Sequence, residues 1–163
     1  MSVDGAESLL NGLARIADAD LVRLRAAVDV EMRDRGIAFT IGQMGEELVI
    51  DFFKKTPGCP NLTPAATGTA NVDALSRKGE RYSIKTVCNA KKTGTIYPDQ
   101  EDKNKQLFEY LLVVKLRLDW TLEAVYEFDW RTFVACRKWD KRMNAWYIGI
   151  SKKSLELAKQ YSV

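Results

Sequence analysis

Histidine is absent from this 163-residue chain. No Ser-His-Asp triad, no Cys-His pair and no histidine-ligated metal can be built from it. Cysteine is scarce as well: Cys59, Cys88 and Cys136 are odd in number, scattered and without CxxC spacing. A disulfide framework and a structural zinc are therefore not expected, and a reducing, cytoplasmic setting fits best. No apolar run is long enough to span a membrane, and the first ten residues carry Asp4 and Glu7 but no basic segment of the kind that opens a secretory signal. Any catalysis must run on carboxylates, Lys, Tyr, Ser or Cys. A hard cation with oxygen ligands, magnesium above all, is the natural cofactor for such a set.

What is present is an ordinary globular composition, 46% apolar and 29% charged, in a length suited to one domain with a hydrophobic core. The net charge of +3 hides an asymmetry. Residues 1–51 hold ten acidic and five basic side chains, whereas residues 76–163 hold eighteen basic and eleven acidic ones. A basic face favours a polyanion, and nucleic acid is the usual one.

Helical periodicity runs through residues 7–17 and 20–35, with Asp20 as N-cap and Gly36 as the C-terminal stop of the second segment. These predict an N-terminal helical hairpin over residues 1–38, within a single domain whose core is 39–163. A third helix is expected from Thr40, as cap, to Lys55, ended by Thr56-Pro57-Gly58. Strands follow at 69–75 and 81–88, joined by a polar turn with Gly79 as breaker. The stretch 89–105 is polar and basic without a clear period. Tyr110–Leu116 reads as a central strand apolar on both faces, and Leu122–Phe128 as an alternating one. A helix is expected over 130–138, a last strand over 145–150, and a final helix from Ser151 through Tyr161. The fold class is α/β (α+β), a mixed central sheet flanked by helices.

The chemistry concentrates in the predicted hairpin. Arg81, Ser83 and Lys85 share one strand face, and Tyr82, Ile84 and Thr86 the other. The apolar set turns to the core, so Ser83 and Lys85 are expected to face a cleft, with Asp73 on the neighbouring strand. Carboxylate and lysine beside a phosphodiester divide the work between cation binding and positioning of water. Cys88 is read as packing.

Asp73 followed across a short turn by Ser83-Ile84-Lys85 resembles the PD-(D/E)xK nuclease superfamily, whose fold is restriction-endonuclease-like. The second acidic residue of that pattern lies two before the lysine, where this chain has Ser83. Some restriction enzymes of the superfamily carry serine there and supply the carboxylate from the preceding helix. Gly45-Glu46-Glu47 matches that helix, and Glu46 is favoured over Glu47. Gln106 and Tyr110 stand at the Q-x-x-x-Y spacing some of these nucleases carry.

The resemblance implies a magnesium- or manganese-dependent DNA endonuclease, similar to type II restriction enzymes, leaving 5′-phosphates. Asp73, the Ile84 carbonyl and Glu46 would hold the metal, Lys85 would orient water, and Ser83, counted with the catalytic set, departs from the pattern and would serve as a small neighbour or a water ligand. Lys91, Lys92, Thr93, Lys103, Gln106, Arg137 and Lys138 are the expected contacts to double-stranded DNA, and a homodimer is expected. Two other readings stay open: a DNA-binding protein on the same fold with a decayed site, and a protein-interaction or immunity domain.

Overall fold

The computed structural model describes residues 3–37 and 40–163, with side chains from Gly5 onward. The chain divides into two compact units, residues 1–39 and 40–163. Among the described residues, no helix is long and apolar enough to cross a membrane.

The first unit holds helix α1 (Val3–Gly12), a 3-10 turn at Leu13–Arg15 and helix α2 (Asp18–Asp34). The cap of α2 is not Asp20. The N-cap is Ala17, which has no side-chain acceptor, and Asp20 lies in the first turn paired with Arg23. The C-terminus does end at Gly36. With φ at +66°, Gly36 donates its N–H to the Arg33 carbonyl while Ile37 reaches Met32, a Schellman closure that a left-handed glycine makes without steric cost. No residue of α2 is buried.

The second unit opens with α3 (Ile41–Lys55). Thr40 caps it reciprocally: Thr40 Oγ1 accepts from the Gln43 N–H at 3.2 Å, and Gln43 Oε1 accepts from the Thr40 N–H at 2.8 Å. Then come β1 (Leu62–Pro64), β2 (Ala74–Ser76), β3 (Arg81–Cys88), β4 (Tyr110–Leu116), β5 (Leu122–Asp129), α4 (Trp130–Cys136), β6 (Lys138–Asp140), β7 (Ala145–Tyr147), α5 (Lys152–Leu155) and β8 (Lys159–Tyr161).

Six strands form one mixed, mostly antiparallel sheet in the order β1-β2-β3-β4-β5-β8, and β6 and β7 form a separate ribbon. The exception to antiparallel pairing is β3 with β4, which run parallel from Tyr82↔Tyr110 to Cys88↔Leu116. Residues 89–109 make the crossover that a parallel pair requires.

The sheet is buried on both sides. Val49 and Phe53 of α3 pack with Tyr82, Ile84, Leu112 and Val114 on one face. On the other, Phe133 of α4 joins Val87, Ile96, Phe108, Leu111, Val113 and Phe128. This corrects the expected orientation of β3. Both of its faces carry core, and Ser83 is fully buried rather than open to a cleft.

Three further expectations change. The strand expected over 69–75 begins only at Ala74, because Thr69 closes a turn onto Ala66 and Asn71 takes a left-handed φ of 58°. The strand expected over 145–150 stops at Tyr147. Ile148 and Ile150 bond instead to the crossover at Thr93 and Lys91. The final helix ends at Leu155, and residues up to Tyr161 form β8 on the edge of β5. There the Tyr161 ring packs 5.0 Å from that of Phe53 and its hydroxyl donates to Glu127 at 3.0 Å, so tertiary contacts override helical pattern.

Candidate active site at the free edge of the third strand

Strand β2 pairs with β3 only as far as Ala74↔Tyr82. Beyond that point β3 continues with no strand on this side among the described residues, and Asp73 takes the place of one. The Asp73 N–H donates to the Tyr82 carbonyl at 2.8 Å, as a ladder residue would. Its side chain then reaches forward: Oδ2 accepts from the Ile84 N–H at 2.6 Å and from Ser83 Oγ at 3.3 Å. Tyr82 and Ile84 turn their backbone groups to the same side, so the Ile84 carbonyl lies at this edge beside the carboxylate.

Ser83 is therefore a support for Asp73. Its hydroxyl lies in the core side of the strand and is directed at the carboxylate, which it helps to hold in one orientation. Asp73 Oδ1 accepts none of the hydrogen bonds found among the described residues.

Helix α3 supplies the second carboxylate through a close approach. Gly45 is buried against Thr86 of β3, and a Cβ at position 45 would fall 2.0 Å from Thr86 Oγ1 and 2.6 Å from its Cγ2. Only glycine permits this contact. A glycine inside a helix costs up to about 1 kcal/mol relative to alanine, so its presence signals packing that needs the space. The next residue, Glu46, is half-buried, while Glu47 is exposed.

Glu46 responds to the hairpin's charges. Burial raises its carboxyl above the usual range, the charge of Asp73 raises it further, and Lys85 acts in the opposite sense. Glu46 thus feels the charges of both residues although it lies far from them in sequence. Lys85 is half-buried, and its aliphatic stem runs past the crossover, where a Cβ on Gly94 would sit 3.9 Å from Lys85 Cδ. Among the described residues there is no cluster of three Asp, Glu, Cys or His side chains. The oxygen set here is two carboxylates and a main-chain carbonyl.

The residues expected to contact nucleic acid divide sharply. Thr93 is corrected: it is buried, and its hydroxyl accepts from the Ile148 N–H at 3.0 Å, fastening the crossover to the segment after β7. Arg137 is half-buried, its guanidinium 4.0 Å from the Trp146 ring centre and bonded to Asn104 Oδ1 at 3.0 Å. Burial lowers its pKa, and its Nη1 has no protein partner. Arg137 therefore packs on β7 with one of its amino groups left unpaired among the described residues. Gln106 donates to the Phe108 carbonyl at 3.1 Å. Lys91, Lys92, Lys103 and Lys138 are exposed. Lys92 pairs with Asp140 at 2.8 Å, and Lys103 lies 5.0 Å above the Trp139 ring.

Two features were not read from the sequence. Arg81 is held by Glu109, which accepts from its N–H, Nε and Nη2, and each group's charged form is favoured by the other. On the α3 face, Glu127, Tyr82, Tyr110, Tyr161 and Lys159 line a cleft of about 400 Å³. Burial raises the Glu127 carboxyl and pushes Tyr82 far above the usual phenol range. Neither pattern has a local signal, because the partners come from separate strands. No protein-family model matches the chain, and no curated protein matches it in sequence.

Proposed function

We propose that the chain is a metal-dependent DNA endonuclease with a restriction-endonuclease-like core. The observation that carries this reading is the hold on Asp73 at the free edge of β3, where Oδ2 accepts from the Ile84 N–H at 2.6 Å and from Ser83 Oγ at 3.3 Å, with α3 brought against the same strand by Gly45 on Thr86 and the Glu46 carboxyl shifted by burial and by the charges of Asp73 and Lys85. The order of elements supports it: a helix, three antiparallel strands, and then a strand parallel to the third. That is the frame implied by the resemblance of Asp73 and Ser83-Ile84-Lys85 to the PD-(D/E)xK pattern.

Asp73 Oδ1, the Glu46 carboxylate and the Ile84 carbonyl are hard oxygen donors that fit magnesium or manganese, an ion that keeps several waters and needs only one or two protein carboxylates. When bound, the metal supplies charge neutralisation at phosphate and a more acidic water. The protein groups do the positioning. Ser83 and the Ile84 N–H fix the Asp73 carboxylate, and the Lys85 ammonium holds the attacking water and offsets charge on the phosphoryl oxygens. In-line attack forms the new P–O bond as the bond to the 3′ oxygen breaks; the attacking water loses a proton to solvent, and the departing 3′ oxygen takes one up from solvent. The products are a 5′-phosphate and a 3′-hydroxyl. Double-stranded DNA as substrate, a homodimer that cuts both strands and a cytoplasmic setting belong to the same proposal.

A second reading, a DNA-binding protein whose site has decayed, is favoured by one feature: the position of the second acidic residue is a buried serine already bonded to Asp73. Incubating plasmid DNA with the chain and magnesium, with and without EDTA, separates the two. Cleavage that EDTA stops, and that Lys85→Ala and Asp73→Asn each reduce by roughly a hundredfold or more, is the expected result. Asparagine at 73 keeps an acceptor for the Ile84 N–H, so the fold is retained. No metal-dependent cleavage by the unaltered chain would leave the second reading in place.

A further inference from the structure

The β6–β7 ribbon belongs to neither layer of the central sheet. It pairs Lys138 with Tyr147, Trp139 with Trp146 and Asp140 with Ala145, and residues 141–144 form its exposed turn. A two-stranded ribbon is marginal in water by itself, yet this one is fixed from root to turn. At the root, the Trp139 and Trp146 rings meet edge to face at 4.6 Å. The Trp146 main chain exchanges two hydrogen bonds of 2.8 Å with Ile96 of the crossover. At the turn, Asp140 Oδ1 accepts from the N–H groups of Arg142 and Met143, at 3.0 and 3.1 Å, while Oδ2 pairs with Lys92. The same crossover passes the stem of Lys85 at Gly94. The segment that holds the ribbon thus also borders the stem of Lys85.

The turn presents Lys141, Arg142 and Asn144 to solvent. Asn144 has a φ of 48°, which accounts for asparagine as a backbone choice. Turn geometry does not account for Arg142, whose side chain makes no hydrogen bond or ion pair among the described residues. A major groove about 12 Å wide admits a two-stranded ribbon. Arginine pairs two-pronged with guanine and asparagine with adenine, which are the two commonest forms of base reading by such side chains. A rigid ribbon with a free, polar and basic turn is suited to that groove. Contacts to phosphates position a protein on the duplex but carry no sequence information; base edges do.

We infer that the β6–β7 ribbon enters the major groove of duplex DNA and that Arg142 and Asn144 read base edges there, with Lys138 and Lys141 on the flanking phosphates. The inference deepens the nuclease reading by naming the element that selects the site. It depends on that reading for the choice of DNA as ligand, not for cleavage.

The test is selection of bound duplexes from a random pool by the full chain carrying Lys85→Ala, repeated with Arg142→Ala and with Asn144→Gly added. Glycine at 144 accepts the left-handed backbone, so the turn is kept. The expected result is a short preferred sequence, with discrimination at one or two positions reduced about 10- to 100-fold by each tip variant while affinity for random duplex is nearly unchanged. Arg142→Lys should not restore it, since lysine lacks the two-pronged fork. No preferred sequence, or an Arg142→Ala variant that weakens all duplexes alike and lowers the salt slope by about one, overturns the inference. Plasmid cleavage is scored separately. Selection without cleavage retains the ribbon and sinks the nuclease reading; cleavage whose site preference ignores Arg142 does the reverse.

Discussion

Helices α2 and α3 are close in length, 17 and 15 residues, and both carry apolar side chains at three- and four-residue steps. In α2, Leu21, Leu24 and Val28 are all more than a third exposed, and Ala17 caps the helix without a side-chain bond. In α3, Val49 and Phe53 are fully buried, Gly45 touches β3, and Thr40 and Gln43 close a capping box. The contrast shows that amphipathic spacing specifies a helix and a face but not what the face meets. What distinguishes α3 is local detail: a glycine in mid-helix that a close neighbour requires, and a reciprocal cap that fixes where the helix starts.

The sharpest test of that contrast is truncation of one side chain in each helix. Phe53→Ala should cost about 3–5 kcal/mol, and Leu24→Ala less than about 0.5 kcal/mol, by chemical denaturation. A loss near 2 kcal/mol at Leu24 would show that α2 has an apolar partner after all. Next in size is Gly45→Ala, expected to cost about 1–3 kcal/mol by overpacking against Thr86 and to abolish metal-dependent cleavage. Adding Thr86→Ala should recover part of the stability, and a double-mutant coupling below about 0.5 kcal/mol would argue against the close approach.

Caps come third. Thr40→Ala should cost about 1 kcal/mol in thermal or denaturant unfolding, whereas Ala17→Ser should increase the helicity of the chain, read by far-UV circular dichroism. Equal and negligible effects at both sites would erase the difference between the two helix starts.

The smallest effect concerns Glu127, a carboxylate that only the larger unit buries. Burial raises its folded-state value, with the Tyr161 hydroxyl and Lys159 acting against it and Glu80 and Asp129 with it. A raised carboxyl binds its proton more tightly in the folded state. Stability is therefore greatest below the unfolded value and falls as pH rises through the folded one. Glu127→Gln should remove this dependence and leave the protein slightly more stable at neutral pH, by less than the Thr40 effect. A variant whose stability keeps the same slope with pH would assign the dependence to another group.

Strand β3, strand β4 and the start of α3 were legible because each has a strong local signature: alternation, an unbroken apolar run and a threonine cap. Asp73, Lys85 and Glu46 were nominated by spacing and by the family resemblance, and the bond from the Ile84 N–H to Asp73 and the contact of Gly45 with Thr86 are what the fold adds. Strands β1 and β8 were not. Each is three residues long, too short for a period, and each is an edge strand defined by its partner, β1 by the equally short β2 and β8 by the longer β5. The burial of Ser83 and Thr93 was hidden for a related reason. A hydroxyl reads as polar in a sequence, while its partner, an aspartate ten residues away or an amide 55 residues away, is set by the fold.

The parallel register of β3 on β4 has a kinetic side. The antiparallel pairs β2–β3 and β4–β5 are joined by short turns and can form early, whereas Ser83 can meet Leu111 only after residues 89–109 have closed into a loop. Closure entropy must be overcome before that contact contributes. Until then Leu111, Leu112, Val113 and Val114, all without solvent exposure in the native chain, remain open along one edge. Quenched-flow hydrogen exchange should find the amides of β4 that bond to β3 protected later than those that bond to β5. During that interval, newly made chains are most exposed to self-association through their own central strand.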